Sequence, residues 1–148
     1  GLELQAEARW EDMIYDHHME ALDDNINDQE QAVGLAGTLS PFVAMRTLSA
    51  GLAGTDFAHH RHFTDHAETW RKKLVAQLNK DFAENAGDEG WEYRAGPDLW
   101  KKVPPFTYET PSMLFALRTH ATSVFILLAW LTGALILALR SAQRVRVV

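Results

Sequence analysis

From Ala121 to Leu139 the chain runs ATSVFILLAWLTGALILAL, 19 residues without a charge. As a helix rising 1.5 Å per residue this stretch is about 28 Å long, the thickness of a bilayer's hydrocarbon core. A buried helix of a soluble protein would need an apolar surround on every side, which the rest of a 148-residue chain hardly supplies. One span leaves room for one ordinary domain and no more. The division that follows is a domain over 1–111, a membrane segment over 112–140 and a tail over 141–148.

Charge orients the segment. All 20 acidic residues lie at or before Glu109, and Arg118, Arg140, Arg144 and Arg146 follow unopposed. Removing those four from the 14 basic residues leaves ten against 20 acids, a net of −10 over residues 1–117. Such a surface repels nucleic acid, which is excluded as a partner. The three arginines of the tail outweigh Arg118 and the more distant Lys101 and Lys102, so the positive-inside rule places the tail in the cytoplasm and the acidic domain outside it. The expected partner is therefore a lipid bilayer, with the basic tail on its cytoplasmic side. Residues 1–30 hold no apolar run able to bring the domain across. Further membrane helices ahead of Gly1 would resolve this; a cytosolic domain on a tail anchor would instead send the arginines through the bilayer. There is no cysteine, so disulfides and thiolate chemistry are excluded.

Every strongly periodic segment repeats at 3.6 residues, so the expected fold class is all-α: an extracytoplasmic helical bundle with long helices, then one C-terminal transmembrane helix. The first helix is expected over 3–33, burying Trp10, Met13, Ile14, His17 and Ala21. Its apolar face then shifts to Leu22, Ile26 and Val33, with a bend or turn at Asp23, Asp24 and Asn25 and an end at Gly34, Gly37 and Thr38. Ser40 before Pro41 reads as a capping hydroxyl and a first-turn proline. The helix that follows to about Ala53 is expected to bury Phe42, Met45, Leu48 and Leu52, with Gly54 breaking it and Thr55 capping the next. The third helix, about Asp56 to Asn85, sets Phe57, His60, Phe63, Ala67, Trp70, Leu74, Leu78 and Phe82 on one face. Gly87 stops it. The four prolines between Gly90 and Pro111 make 87–111 a mostly irregular connector, whose aromatic residues either rest at the membrane interface or pin the connector to the helices.

Chemistry has few footholds. No GxxxxGK[ST], GxGxxG or GxSxG pattern occurs, so the chain is not expected to be an enzyme, and neither catalytic nor cofactor-binding residues are assigned. His59, His62 and His66 share a strip at spacings of three and four, which suits two or three metal ligands, with His17, His18 or a carboxylate completing the set. A solvated or interface face explains the same strip, and no metal is assigned. Asp56 and His60 fall on the apolar face one turn apart. Buried together they would pair, as a structural clamp or as a proton-sensitive joint, because either left alone bears a desolvation penalty. Glu68 and Lys72 have the spacing of a surface ion pair. The ten acids before Gln31 read as a solvated face.

The stretch LSPFVAMRTLSAGLAGTDFAHHRHFTDHAETWRKKLV, Leu39 to Val75, resembles the C-terminal region of bacterial ABC-2 type transporter permeases. The resemblance is narrower to the subgroup with a large extracytoplasmic helical domain of unknown function before the last membrane helix. AGTDFAHHRHF, Ala53 to Phe63, is its specific core; PPFTYETPS, Pro104 to Ser112, and the apolar helix with its arginine tail follow in the same order. It implies a permease subunit with several spans, working as a homo- or heterodimer with a separate ABC ATPase subunit. It carries over no catalytic or ligand residues and no cofactor. A single-span signalling or partner-binding ectodomain is the alternative from another class.

Overall fold

The computed structural model describes residues 2–144. The order is α1 Leu2–Leu39, α2 Pro41–Leu52, α3 Phe57–Asn85, a 3-10 turn Gly87–Glu92, α4 Pro97–Lys102, α5 Met113–Thr119 and α6 Ala121–Arg144. No strand occurs among the described residues, and the all-α expectation holds. Two compact units form, Gly1–Asn25 with His62–Glu109 and Ile26–Arg61 with Thr110–Val148, so the end of α1, α2 and the apolar helix fall in one unit.

In the first unit α1 and α3 run antiparallel. Asn79 Nδ2 donates to Leu4 O at 3.4 Å, Arg71 Nη2 to Asp12 Oδ1 at 2.8 Å, and Lys72 Nζ to both Asp16 oxygens at 2.8 Å. This reverses the expected facing of α1. Trp10, Met13 and Ile14 are exposed by 40–60% and His17 and Ala21 are exposed too, whereas Leu4, Ala8, Asp12, Tyr15 and Met19 are half-buried. The inward stripe steps by four and three residues and continues to the buried Asp23. No turn interrupts the helix at Asp23 to Asn25, and α1 runs on through Gly34 and Gly37. Nor are the acids merely solvated, since Asp12 and Asp16 take the cations of α3. Glu68 receives Arg71 through two 2.7 Å bonds instead of pairing with Lys72, and the guanidinium holds its carboxyl below the ordinary glutamate value.

The connector is more ordered than its prolines suggest. Pro97 opens α4 rather than breaking a helix, because a first-turn N–H has no partner to lose, and Leu99 is buried. Of the two readings for its aromatics, pinning to α3 is what Tyr93, Phe106 and Tyr108 do. Tyr93 donates to Asp81 Oδ2 at 2.8 Å, Phe106 and Tyr108 meet Phe63 edge-on at 5.9 and 5.1 Å, and Trp70 Nε1 donates to Pro104 O at 2.9 Å.

In the second unit α2 packs against α5 and α6. Ser40 and Pro41 stand at the expected helix start, but the Ser40 hydroxyl makes no capping bond; its carbonyl accepts Val43 N–H at 3.1 Å. Apart from His120, the side chains inside are small: Ala44 is 2% exposed, Ala116 1%, Ser123 7%, with Gly37 and Gly51 also buried. Phe42, Met45 and Leu52, expected inside, are 65%, 53% and 49% exposed, and Leu48 is half-buried. Close approach of the helix axes leaves room only for small residues at the contact, which turns the large ones outward. Helix α6 is long and apolar enough to cross a membrane, and every residue from Leu128 to Arg144 is exposed. The rest of the tail, with Arg146, lies outside the described residues.

Candidate functional site

Gly54 fixes the turn on which the site stands. At φ +69° it takes the left-handed conformation that ends α2 as a Schellman motif, with Thr55 N–H on Ala50 O at 3.0 Å and Gly54 N–H on Gly51 O at 3.1 Å. The cap of α3 falls one residue later than expected, on Asp56 rather than Thr55. Asp56 Oδ1 accepts the backbone N–H of His59 at 3.2 Å, the third residue of the helix and the ordinary reach of an N-cap carboxylate.

That geometry corrects the expected pairing of Asp56 with His60. Spacing of four aligns side chains inside a helix, but an N-cap residue stands outside it and folds its side chain over the third position. The Asp56 carboxylate bonds the rings of His59, at Nδ1, and His120, at Nε2 over 2.6 Å. His60 is exposed, with its ring 6.3 Å from that of Phe57, and its tie to Asp56 is the backbone bond from N–H to O at 3.2 Å. The three side chains of the clamp are nearly out of water, Asp56 6%, His120 7% and His59 11% exposed.

Burial pushes the Asp56 carboxyl up, but the hydrogen bonds from His120 and His59 outweigh it and hold the group below its ordinary value. An ionised carboxylate only accepts, so both imidazoles present an N–H to it, Nδ1–H on His59 and Nε2–H on His120. Phe115 closes one side, edge-on to His59 at 5.2 Å. Gly51 closes another, since a Cβ there would overlap His120 Cδ2 and Nε2. Among the described residues neither imidazole bonds a second side chain. What the group does is tie the α2–α3 turn to the residue that precedes α6.

The strip considered for a metal is divided among other partners. His59 belongs to the clamp, His62 Nδ1 lies 3.1 Å from Tyr108 Oη, and His66 Nδ1 donates to His62 O at 2.7 Å. Among the described residues no three His, Asp or Glu are arranged to hold a metal ion. His17 lines an open groove with Arg9, Asp12, Asp16 and Lys72. His120 is the functional residue that sequence reasoning missed. Its one signal was position, a lone histidine between Arg118 and the apolar run.

A family model described as a domain of unknown function, DUF3526, matches residues 1–109. This chain belongs to that family. The match ends at Glu109, so within the DUF3526 chain it takes in Asp56 and His59 of the clamp and stops before His120 and α6. No curated protein and no solved structure matches the DUF3526 chain.

Proposed function

We propose that this chain is the last extracytoplasmic domain and last membrane span of a permease subunit of an ABC-2 type transporter. The observation that carries the reading is the resemblance of Leu39 to Val75, whose specific core Ala53 to Phe63 contains Asp56 and His59. The clamp gives that core a mechanical meaning. Through the bond from His120, the segment that resembles the permeases is tied to the residue that precedes the apolar helix. The domain lies outside the cytoplasmic membrane and the arginine tail within the cell. The subunit hydrolyses no nucleotide itself, and a separate ABC ATPase binds the cytoplasmic face of a permease dimer.

The experiment is affinity purification of the natural full-length protein from its own membranes in mild detergent, with the co-purifying chains identified. A stoichiometric P-loop ATPase, whose turnover changes on removal of the permease, is the expected result. Full-length protein with a single span and no associated ATPase would replace this reading with the partner-binding ectodomain.

A further inference from the structure

We propose that His62 and His66 form a two-histidine site for a divalent transition-metal ion, Zn2+ or Cu2+, with water in the remaining coordination positions. The site lies wholly within the first unit and stands apart from the permease reading. His59 is committed to the clamp, so the ligand set is a pair rather than the triad that the spacing of the strip suggests.

Helical spacing supplies the pair. Residues four apart on a helix sit one above the other on the same face. In α3 this brings the two imidazole rings to 4.2 Å between centroids, tilted by 31°. A tetrahedral ion with nitrogen bonds of about 2 Å spans roughly 3.4 Å between two ligand atoms, a gap that rings this close can bridge. His66 is exposed and His62 half-buried, so an ion reaches them from water without any opening of the fold.

Hydrogen bonding sets the tautomers. A carbonyl oxygen only accepts, so the 2.7 Å bond between His66 Nδ1 and His62 O places the ring proton on Nδ1 and leaves Nε2 of the neutral ring with a lone pair to donate to a metal. Tyr108 Oη, 3.1 Å from His62 Nδ1, accepts in the same way once an ion holds Nε2 of His62. Outer contacts of this kind orient the imidazole ligands of protein metal sites and raise their basicity. Tyr108 is itself held in place, edge-on to His62 at 5.7 Å, to His66 at 5.8 Å and to Phe63 at 5.1 Å. Neither Nε2 has to be idle beforehand, because a metal–nitrogen bond displaces a weaker hydrogen bond or ring contact.

The donors select the ion. Imidazole suits zinc and copper, whereas calcium and magnesium require oxygen ligands. Two protein ligands leave the coordination sphere open, so the ion exchanges with solution instead of stapling the fold, which takes a closed set of four. Occupancy is felt at Tyr108, whose hydroxyl is then held as an acceptor and fastens the connector to α3.

Isothermal titration of the chain with Zn2+ in mild detergent tests the site, and the absence of cysteine removes competing thiolates. A single Zn2+ per chain is expected. His66→Ala, at an exposed position, should weaken binding roughly 100-fold by ending chelation. Tyr108→Phe keeps the ring and loses the acceptor, and should weaken it about tenfold. Joint replacement of His17 and His18 by alanine should leave the affinity unchanged. Zn2+ should raise the melting temperature of the wild type and leave that of His66→Ala unmoved. Equal affinity in wild type and His66→Ala, or no saturation at millimolar Zn2+, overturns the site. Loss of binding in the His17 and His18 variant also overturns it and moves the ion to that pair. An affinity unchanged in Tyr108→Phe overturns the part assigned to Tyr108.

Discussion

Replacing Asp56 by alanine removes one N-cap and the acceptor of two buried imidazoles in a single step. Loss of the cap costs about 1 kcal/mol. Each ring N–H left in a site 7–11% exposed loses its partner, at about 1–3 kcal/mol apiece when no water replaces it. The sum falls near the ~3–5 kcal/mol measured when one member of a buried pair is deleted. Asp56→Asn keeps the cap acceptor and one ring contact and should be milder, at about 1–2 kcal/mol. His60→Ala alters an exposed ring and should stay within about 0.5 kcal/mol. Thermal unfolding in mild detergent, followed by circular dichroism, reads these as a fall of roughly 10 °C for Asp56→Ala and almost none for His60→Ala. The variant pair Asp56→Ala and His120→Ala, alone and combined, isolates the coupling between them. If Asp56→Ala and His60→Ala shift the transition equally, or if the double variant is simply additive, the clamp contributes nothing and the argument from capping geometry fails.

The same carboxylate sets a pH dependence. Because its folded-state pKa is depressed, its contribution is complete above the ordinary aspartate value of 3.8 and disappears as pH falls through the lower folded value. Wild-type stability should therefore drop more steeply than that of Asp56→Ala in acid unfolding below about pH 4. Gly51→Ala should cost about 1–3 kcal/mol by forcing the His120 ring off Asp56, and adding His120→Ala should recover most of the overlap penalty in the same melting assay. Gly54→Ala imposes a side chain at φ +69° and should cost about 1–2 kcal/mol by the same measurement. Cysteines at Asn85 and Ser141 of the full-length protein test the orientation: an impermeant thiol reagent on spheroplasts should label the first and spare the second.

Helix α3 was legible over nearly its full length because a long amphipathic pattern repeats in it at one period, and the apolar run of α6 was legible for the same reason of length. The facing of α1 was not. Its apolar stripe of Trp10, Met13 and Ile14 satisfies the helical period as well as the stripe of Leu4, Ala8, Tyr15 and Met19 does, and only the cations Arg71 and Lys72 on α3 decide between them by engaging Asp12 and Asp16. Which residues fill the contact of α2 was misjudged for a different reason. Binary patterning assumes that large apolar groups go inside, a rule that follows from water as solvent; Ala44 and Gly51 obey the rule for closely apposed helices instead. The clamp was half legible. Asp56 stood out as a carboxylate needing a partner, but the partner from 64 residues away carries no local signal.

His120 and Gly51 also define how the apolar helix is registered against α2. The bond from His120 Nε2 to Asp56 Oδ2 and the bond from Trp130 Nε1 to Thr38 O are made ten residues apart on the two sides of the same contact. A slide of α6 along its axis by one helical turn, about 5.4 Å, would break both at once and drive the His120 ring against a different part of α2. Packed helices with small residues at the contact have discrete seatings rather than continuous ones, since each displacement must move side chains out of one set of grooves and into another. The clamp therefore selects one register of the apolar helix, and it does so with a charge held at the point where that helix begins. A Gly51→Ala variant that keeps its helix content but loses the coupling between Asp56 and His120 would be the signature of a shifted register. In that variant the Trp130 indole should lose its bond to Thr38 O in step with the histidine, seen as a change in indole emission that His60→Ala does not produce.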